Sequence, residues 1–274
     1  MDRRSKLFLQ VQNFIGRLAV IIIAPLYFLG ARILCYRVRD VRAIRRQCAA
    51  EMDRHKGPWI ICANHLTMID SFILTYALFS LRGHIKDYAR LPWNLPERTN
   101  FQSNIILTML CYLSKCIPIA RGGPREKTRK TLDECIYLLR NSQNIMIFPE
   151  GGRSRTGRVD KECFSYGVGR FIQEVEGCKV MCIYVRGDKQ AGHSLIPAWG
   201  EKFSAEMEVF TPAPAAAGGL RAQREYATQI IHRLAQMEEK YFVRHRQRHR
   251  GLEKSGKRGE KQGLPVSEEN PHRC

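Results

Sequence analysis

The sequence predicts an α/β domain, a central mixed sheet flanked by helices, and two observations predict it. Short apolar runs of strand length, punctuated by Gly, Pro and Asn, recur between residues 55 and 210. Between them lie stretches whose apolar residues repeat at helical spacing, and strands alternating with helices imply a sheet covered on both faces. At 274 residues the chain has room for one catalytic-size domain with extra helices at its ends.

The first element is apolar. No charged residue falls between Leu18 and Ala31, within an apolar context that begins near Leu7. Arg3, Arg4, Lys6 and Arg17 lie on one side, and Arg32, Arg37, Arg39, Arg42, Arg45 and Arg46 on the other. A spanning helix needs about 20 apolar residues. Cations on both sides suit a segment that dips into one leaflet and returns to the same anionic surface, with Pro25 kinking the helix or turning it back. Residues 1–50 therefore read as a basic and apolar membrane-associating helical region, a monotopic anchor; a buried core helix is the alternative. Arg17 interrupts the apolar run and no small-x-small site follows, which argues against a cleaved leader.

The expected catalytic domain spans residues 51–243. After a basic helix ending near His55, Gly57-Pro58 punctuates, and Trp59 to Ala63 reads as a short buried strand. Ser71 to Leu81 and Phe101 to Lys115 are apolar enough for helices. Cys116 to Ala120 follows as a strand. Glu126 to Asn141 carries Leu132, Cys135, Ile136 and Leu139 at helical spacing. Asn144 to Phe148, Lys179 to Val185 and Met207 to Phe210 complete the strands. Leu220 to Tyr241 is a long amphipathic helix with Tyr226, Ile230, Leu234, Met237 and Tyr241 on its inner stripe. Residues 244–274, rich in Arg, Lys, Gly and Glu, read as a disordered basic tail.

A net charge of +19 and a pI near 9.8 draw the surface to something anionic. Zinc-finger spacing, aromatic ribonucleoprotein motifs and heptads after a basic stretch are all missing, so nucleic acid is not the expected partner. The ten cysteines form no C-x-x-C pair, and Cys62, Cys111 and Cys182 sit in apolar runs. That composition fits a reducing compartment and no metal site.

Ligands in open α/β sheets collect at the carboxyl ends of strands. Three segments end there in polar or Gly-rich sequence: Asn64-His65 with Asp70, Arg121-Gly122-Gly123, and Phe148 to Arg155. The five-step offset from His65 to Asp70 fits a loop better than one helix face. A carboxylate at a helix start could fold back onto one imidazole nitrogen and leave the other as a base; a capping aspartate beside an unrelated histidine is the other reading. Gly151 and Gly152 suit an anion-binding nest, with Arg153 as a fork for phosphate and Glu150 orienting a polar acceptor; a plain turn with solvated charges is the other reading.

In order and separation, these stretches resemble the glycerolipid acyltransferase superfamily of the lysophosphatidic acid acyltransferase type. Its Asn-His-x-x-x-x-Asp motif matches Asn64, His65 and Asp70, its arginine after a short apolar strand matches Arg121, and its Phe-Pro-Glu-Gly-x-Arg-Ser motif matches Phe148 to Ser154. Thr67 stands where many members have serine. A fourth motif usually has proline where Cys182 stands, a departure that bears on substrate identity. The resemblance implies transfer of a fatty acyl group from acyl carrier protein or coenzyme A thioester, as co-substrate and without a cofactor, to a hydroxyl of a lysolipid acceptor such as 1-acyl-glycerol-3-phosphate. His65 and Asp70 would be catalytic; Arg121, Glu150, Gly151, Gly152, Arg153 and Ser154 would bind substrate. An anionic phospholipid membrane, at the cytoplasmic face of the inner or plasma membrane, is the expected location. Another acceptor, such as a lyso-aminolipid or a secondary-metabolite hydroxyl or amine, and a non-catalytic membrane-binding protein are the other readings.

Overall fold

The computed structural model describes residues 1–101 and 104–260. The elements run α1 (Arg3–Ile33), β1 (Arg37–Val38), α2 (Val41–Arg54), β2 (Trp59–Ala63), α3 (Asp70–Leu78) and α4 (Leu81–Lys86). They continue with β3 (Trp93–Asn94), α5 (Arg98–Phe101), α6 (Ile105–Leu113), α7 (Arg125–Arg140), β4 (Ile145–Ile147), α8 (Gly167–Glu174), β5 (Lys179–Gly187), β6 (Lys202–Phe210) and α9 (Gly219–Glu260). The sheet is mixed, with the order β1-β6-β5-β2-β4-β3. Neighbouring pairs among β5, β2, β4 and β3 are parallel, whereas β6 runs antiparallel to β5. The carboxyl ends of the parallel strands therefore share one rim.

Strand alternation divides the core in two. Ile60, Cys62, Ile145, Ile147 and Val180 face α7, α8 and α9, meeting Cys135, Phe171 and Ile230 among others. Ile61, Ala63, Met146 and Met181 face the other way, toward α2 and α3 and toward Val20 and Ala24 of α1. The N-terminal helix thus contributes to the same core as the sheet. Its start is capped by Asp2, whose carboxylate accepts from Ser5 N at 2.8 Å.

Several expected elements take a different form. α1 is one continuous helix through Pro25 and does not turn back there; Pro25 lies on the exposed side, so its missing N–H and its ring fall away from the packed face. The expected strand at Cys116 to Ala120 is reduced to isolated bridges, Asn94 to Cys116 and Glu97 to Ile119. Pro96 and Pro118 lack the N–H groups a continuous ladder needs. The expected helix from Phe101 to Lys115 is replaced by α5 and α6, with Asn104 capping α6 by accepting from Ile106 N and Leu107 N at 2.8 and 3.2 Å. α6 buries none of its residues. The basic tail expected from residue 244 is helical as far as Glu260, held at its start by Lys240 to Glu208 and Arg244 to Glu206 on β6. Residues 261–274 of that expected tail lie outside the described residues.

Candidate active site

The sequence Trp59-Ile-Ile-Cys-Ala63 buries every side chain, so β2 ends where the polar residues begin. Asn64 prolongs its pairing by side chain alone: Nδ2 donates to Val185 O at 2.9 Å and Oδ1 accepts from Val185 N at 2.8 Å. The chain then turns, and α3 starts at Asp70. The Asp70 carboxylate folds back over that turn. It lies 2.9 Å from His65 Nδ1, accepts from the backbone N–H groups of Leu66 (2.6 Å) and Thr67 (2.8 Å), and takes the Thr67 hydroxyl at 2.6 Å. A carboxylate only accepts, so His65 Nδ1 carries a proton toward Asp70, and Nε2 lies on the far side of the ring. The imidazole stacks on Phe148, with centroids 4.2 Å apart and planes 15° apart.

The loop after β4 holds the backbone of His65 from both sides. Glu150 Oε1 accepts from His65 N at 2.8 Å, and Ser154 N donates to His65 O at 2.9 Å. Burial is the main reason that Glu150 is pushed up to about 8, with the neighbouring carboxylates of Glu238 and Asp70 adding to it. Glu150 and Ser154 are buried behind the loop and do not line the cavity described next, so their observed contacts are with the protein. Gly151 has a φ of +70°, a conformation that favours glycine. Its N–H is donated to Phe148 O at 3.0 Å, which removes it from the expected set of donors to a ligand.

Gly152, Arg153 and Arg121 do border a cavity of about 480 Å³, and His65 lies in its wall. Arg121 donates to Gly151 O, and its Nε lies 3.6 Å from the carboxylate of Glu97. Arg153 donates to Ser194 O at 3.3 Å. Away from these cations the lining is largely apolar: Val20, Ile23, Ala24 and Tyr27 of α1 form one wall, and Ile69 and, in α3, Phe72 another. Lys115 lies at the border, buried, and donates to Tyr88 O, Leu91 O and Gln143 Oε1 at 3.1, 2.9 and 3.2 Å. Burial pulls its ammonium down to about 7. The arrangement brings one imidazole and two guanidinium groups to the lining of a largely apolar chamber.

Two contributors were not expected from the sequence. Glu97 carried no signal, because its pairing with Arg121 depends on the non-local bridge to Ile119. Phe148 was visible as the first residue of the Phe-Pro-Glu-Gly-x-Arg-Ser motif, but its place as the ring beneath His65 was not. Thr67, which stands where many members of the superfamily have serine, is fully buried with its hydroxyl bound to Asp70. Cys182, the departure in the fourth motif, is buried within β5 opposite Cys62 and lies off the cavity wall.

The model of the acyltransferase family matches residues 37–186, the span from β1 to the end of β5 that contains all three motif loops. No curated protein matches the chain. The family match covers more than half of the 274 residues and takes in His65, Asp70, Arg121 and Arg153, so the chain belongs to the acyltransferase family, within the glycerolipid acyltransferase superfamily.

Proposed function

We propose that this acyltransferase moves a fatty acyl group from a thioester, on acyl carrier protein or coenzyme A, to a hydroxyl of a lysophospholipid such as 1-acyl-glycerol-3-phosphate. The observation that carries this reading is the His65–Asp70 pair at 2.9 Å, locked by three further donors to Asp70 and set in the wall of an apolar chamber. His65 Nε2 takes the proton of the acceptor hydroxyl as its oxygen attacks the thioester carbonyl. A C–O bond forms and the C–S bond breaks. The proton passes from the imidazolium to the leaving thiolate.

Asp70 keeps the imidazole in the required tautomer and stabilises its cation. Arg121 and Arg153 hold the acceptor's phosphate at the cavity mouth, and the apolar walls take the acyl chain. Glu150 and Ser154 serve the site by fixing the His65 backbone. No cofactor is needed for this chemistry. α1 supplies the membrane contact: it is long and apolar enough to cross a bilayer, and only 22% of its most apolar window is buried. It packs on the domain from Leu9 to Ala31. A helix flanked along its length by protein fits a monotopic anchor on the cytoplasmic face.

The test measures acyl release from palmitoyl-coenzyme A and from acyl carrier protein thioester, with a panel of lysophospholipids and lyso-aminolipids. His65→Ala is expected to lower turnover by about 10²–10⁴-fold while the fold is retained. Equal turnover in wild type and His65→Ala would reject the mechanism. Turnover with only a lyso-aminolipid would replace the proposed acceptor.

A further inference from the structure

The connection between β5 and β6 presents Leu195, Ile196 and Trp199 to solvent, at 62%, 54% and 63% exposure. Its backbone is nonetheless firmly held. Ser194 N donates to Leu66 O at 3.0 Å, and Leu195 O accepts from Met68 N at 3.2 Å, a bridge directly onto the turn between His65 and Asp70. Arg153 donates to Ser194 O on the same segment. At its far end Tyr36 donates its hydroxyl to Pro197 O at 3.0 Å, and Gly200 N donates to Leu34 O at 3.0 Å, fastening it to the end of α1. Every one of these bonds uses backbone, so the three apolar side chains are left without a role in holding the segment.

We infer that residues 195–199 are a second membrane contact, which lays the His65 loop on the surface of an anionic bilayer. Three observations favour a lipid surface as the occupant. The segment is attached to the end of α1, where Leu29 and Ile33 are also exposed, so its apolar side chains extend the surface that the proposed function assigns to the membrane. From Lys189 to Gly200 there is no carboxylate, Asp188 is paired with Arg39, and Glu201 is buried. Arg32, Arg37 and Lys202 are exposed around it. Apolar side chains within a rim of cations match anionic headgroups over hydrocarbon, and a tryptophan is at home at that boundary. This inference rests on the membrane reading of α1 and adds a site lying outside the matched family span.

The chain carries its own reporter. Of its three tryptophans, Trp59 and Trp93 are buried and Trp199 is exposed. With the full chain and vesicles of equimolar phosphatidylcholine and phosphatidylglycerol, tryptophan emission is expected to move to the blue and to be quenched by lipids brominated on their acyl chains. Trp199→Phe should abolish the shift while the protein still sediments with vesicles. Leu195→Asp combined with Ile196→Asp should weaken vesicle affinity by about tenfold or more, with turnover of a short-chain water-soluble thioester unchanged.

Sedimentation with unchanged wild-type emission would overturn the inference and leave the role of α1 standing. A lack of sedimentation would overturn both. An emission shift that grows with protein concentration in the absence of lipid would assign the patch to self-association and overturn the inference. A shift with acyl carrier protein thioester and none with vesicles would overturn it in favour of a protein partner.

Discussion

Asp70 accepts from four donors, and this crowding makes the His65 geometry a property of the turn as much as of the two side chains. Glu150, close by, plays the opposite part. Buried and raised to about 8, it is uncharged at neutral pH while it accepts from His65 N, so a second negative charge is kept away from Asp70. Unfolding returns its carboxyl to the ordinary value of 4.5. Between that value and about 8 the unfolded chain binds fewer protons than the folded one, so stability is full below 4.5 and is lost as pH rises toward 8. Glu150→Gln imitates the neutral acid. Thermal melts across this window should show the wild type losing stability relative to Glu150→Gln, and parallel curves would contradict the buried neutral acid. The motif residues were legible as residues, but their division of labour was not. Glu150 and Ser154 were expected to touch substrate; in the structure the Glu150 carboxyl accepts from His65 N, Ser154 N donates to His65 O, and the Ser154 hydroxyl turns to Arg158 O. No pattern along the chain marks which way a side chain turns from a loop.

At the scale of elements, apolar runs buried on both faces were plain in the sequence, and β2, β4 and β5 lie where those runs predict. β1 and β3 each pair only two residues, too few to leave a periodic signal. β6 begins at Lys202, earlier than expected, because Phe203 and Met207 face the core across intervening polar residues. α1 shows how little slack the packing leaves. A Cβ on Gly16 would lie 2.2 Å from the Tyr88 hydroxyl and 2.9 Å from Leu113 O. Gly16→Leu should therefore lift α1 off the segment bearing Tyr88 and cost about 1–3 kcal/mol in denaturant unfolding. A neutral result would mean that α1 is not tightly seated there.

For the whole molecule, a charge of +19 sets how it meets surfaces. With screening over about 8 Å at physiological salt, and about 1 kcal/mol per cation near an anionic membrane, binding to phosphatidylglycerol vesicles should fall steeply as salt rises. Binding that remains at high salt measures the apolar share, from Leu18, Ile22 and Leu26 of α1 with Ile105 and Ile106 of α6. Vesicle flotation at several ionic strengths separates the two, and salt-independent binding would refute the electrostatic part.

Val20, Ile23, Ala24 and Tyr27 line the chamber from one side of α1, while the other side of the same helix is exposed. Trimming the N-terminus, the usual way to make a lipid enzyme convenient to purify, would here remove a wall of the room that the proposed function gives to the acyl chain. A shortened protein that stayed in solution would be a different catalyst, open along one flank, and its chain-length preference would describe the cut and not the enzyme.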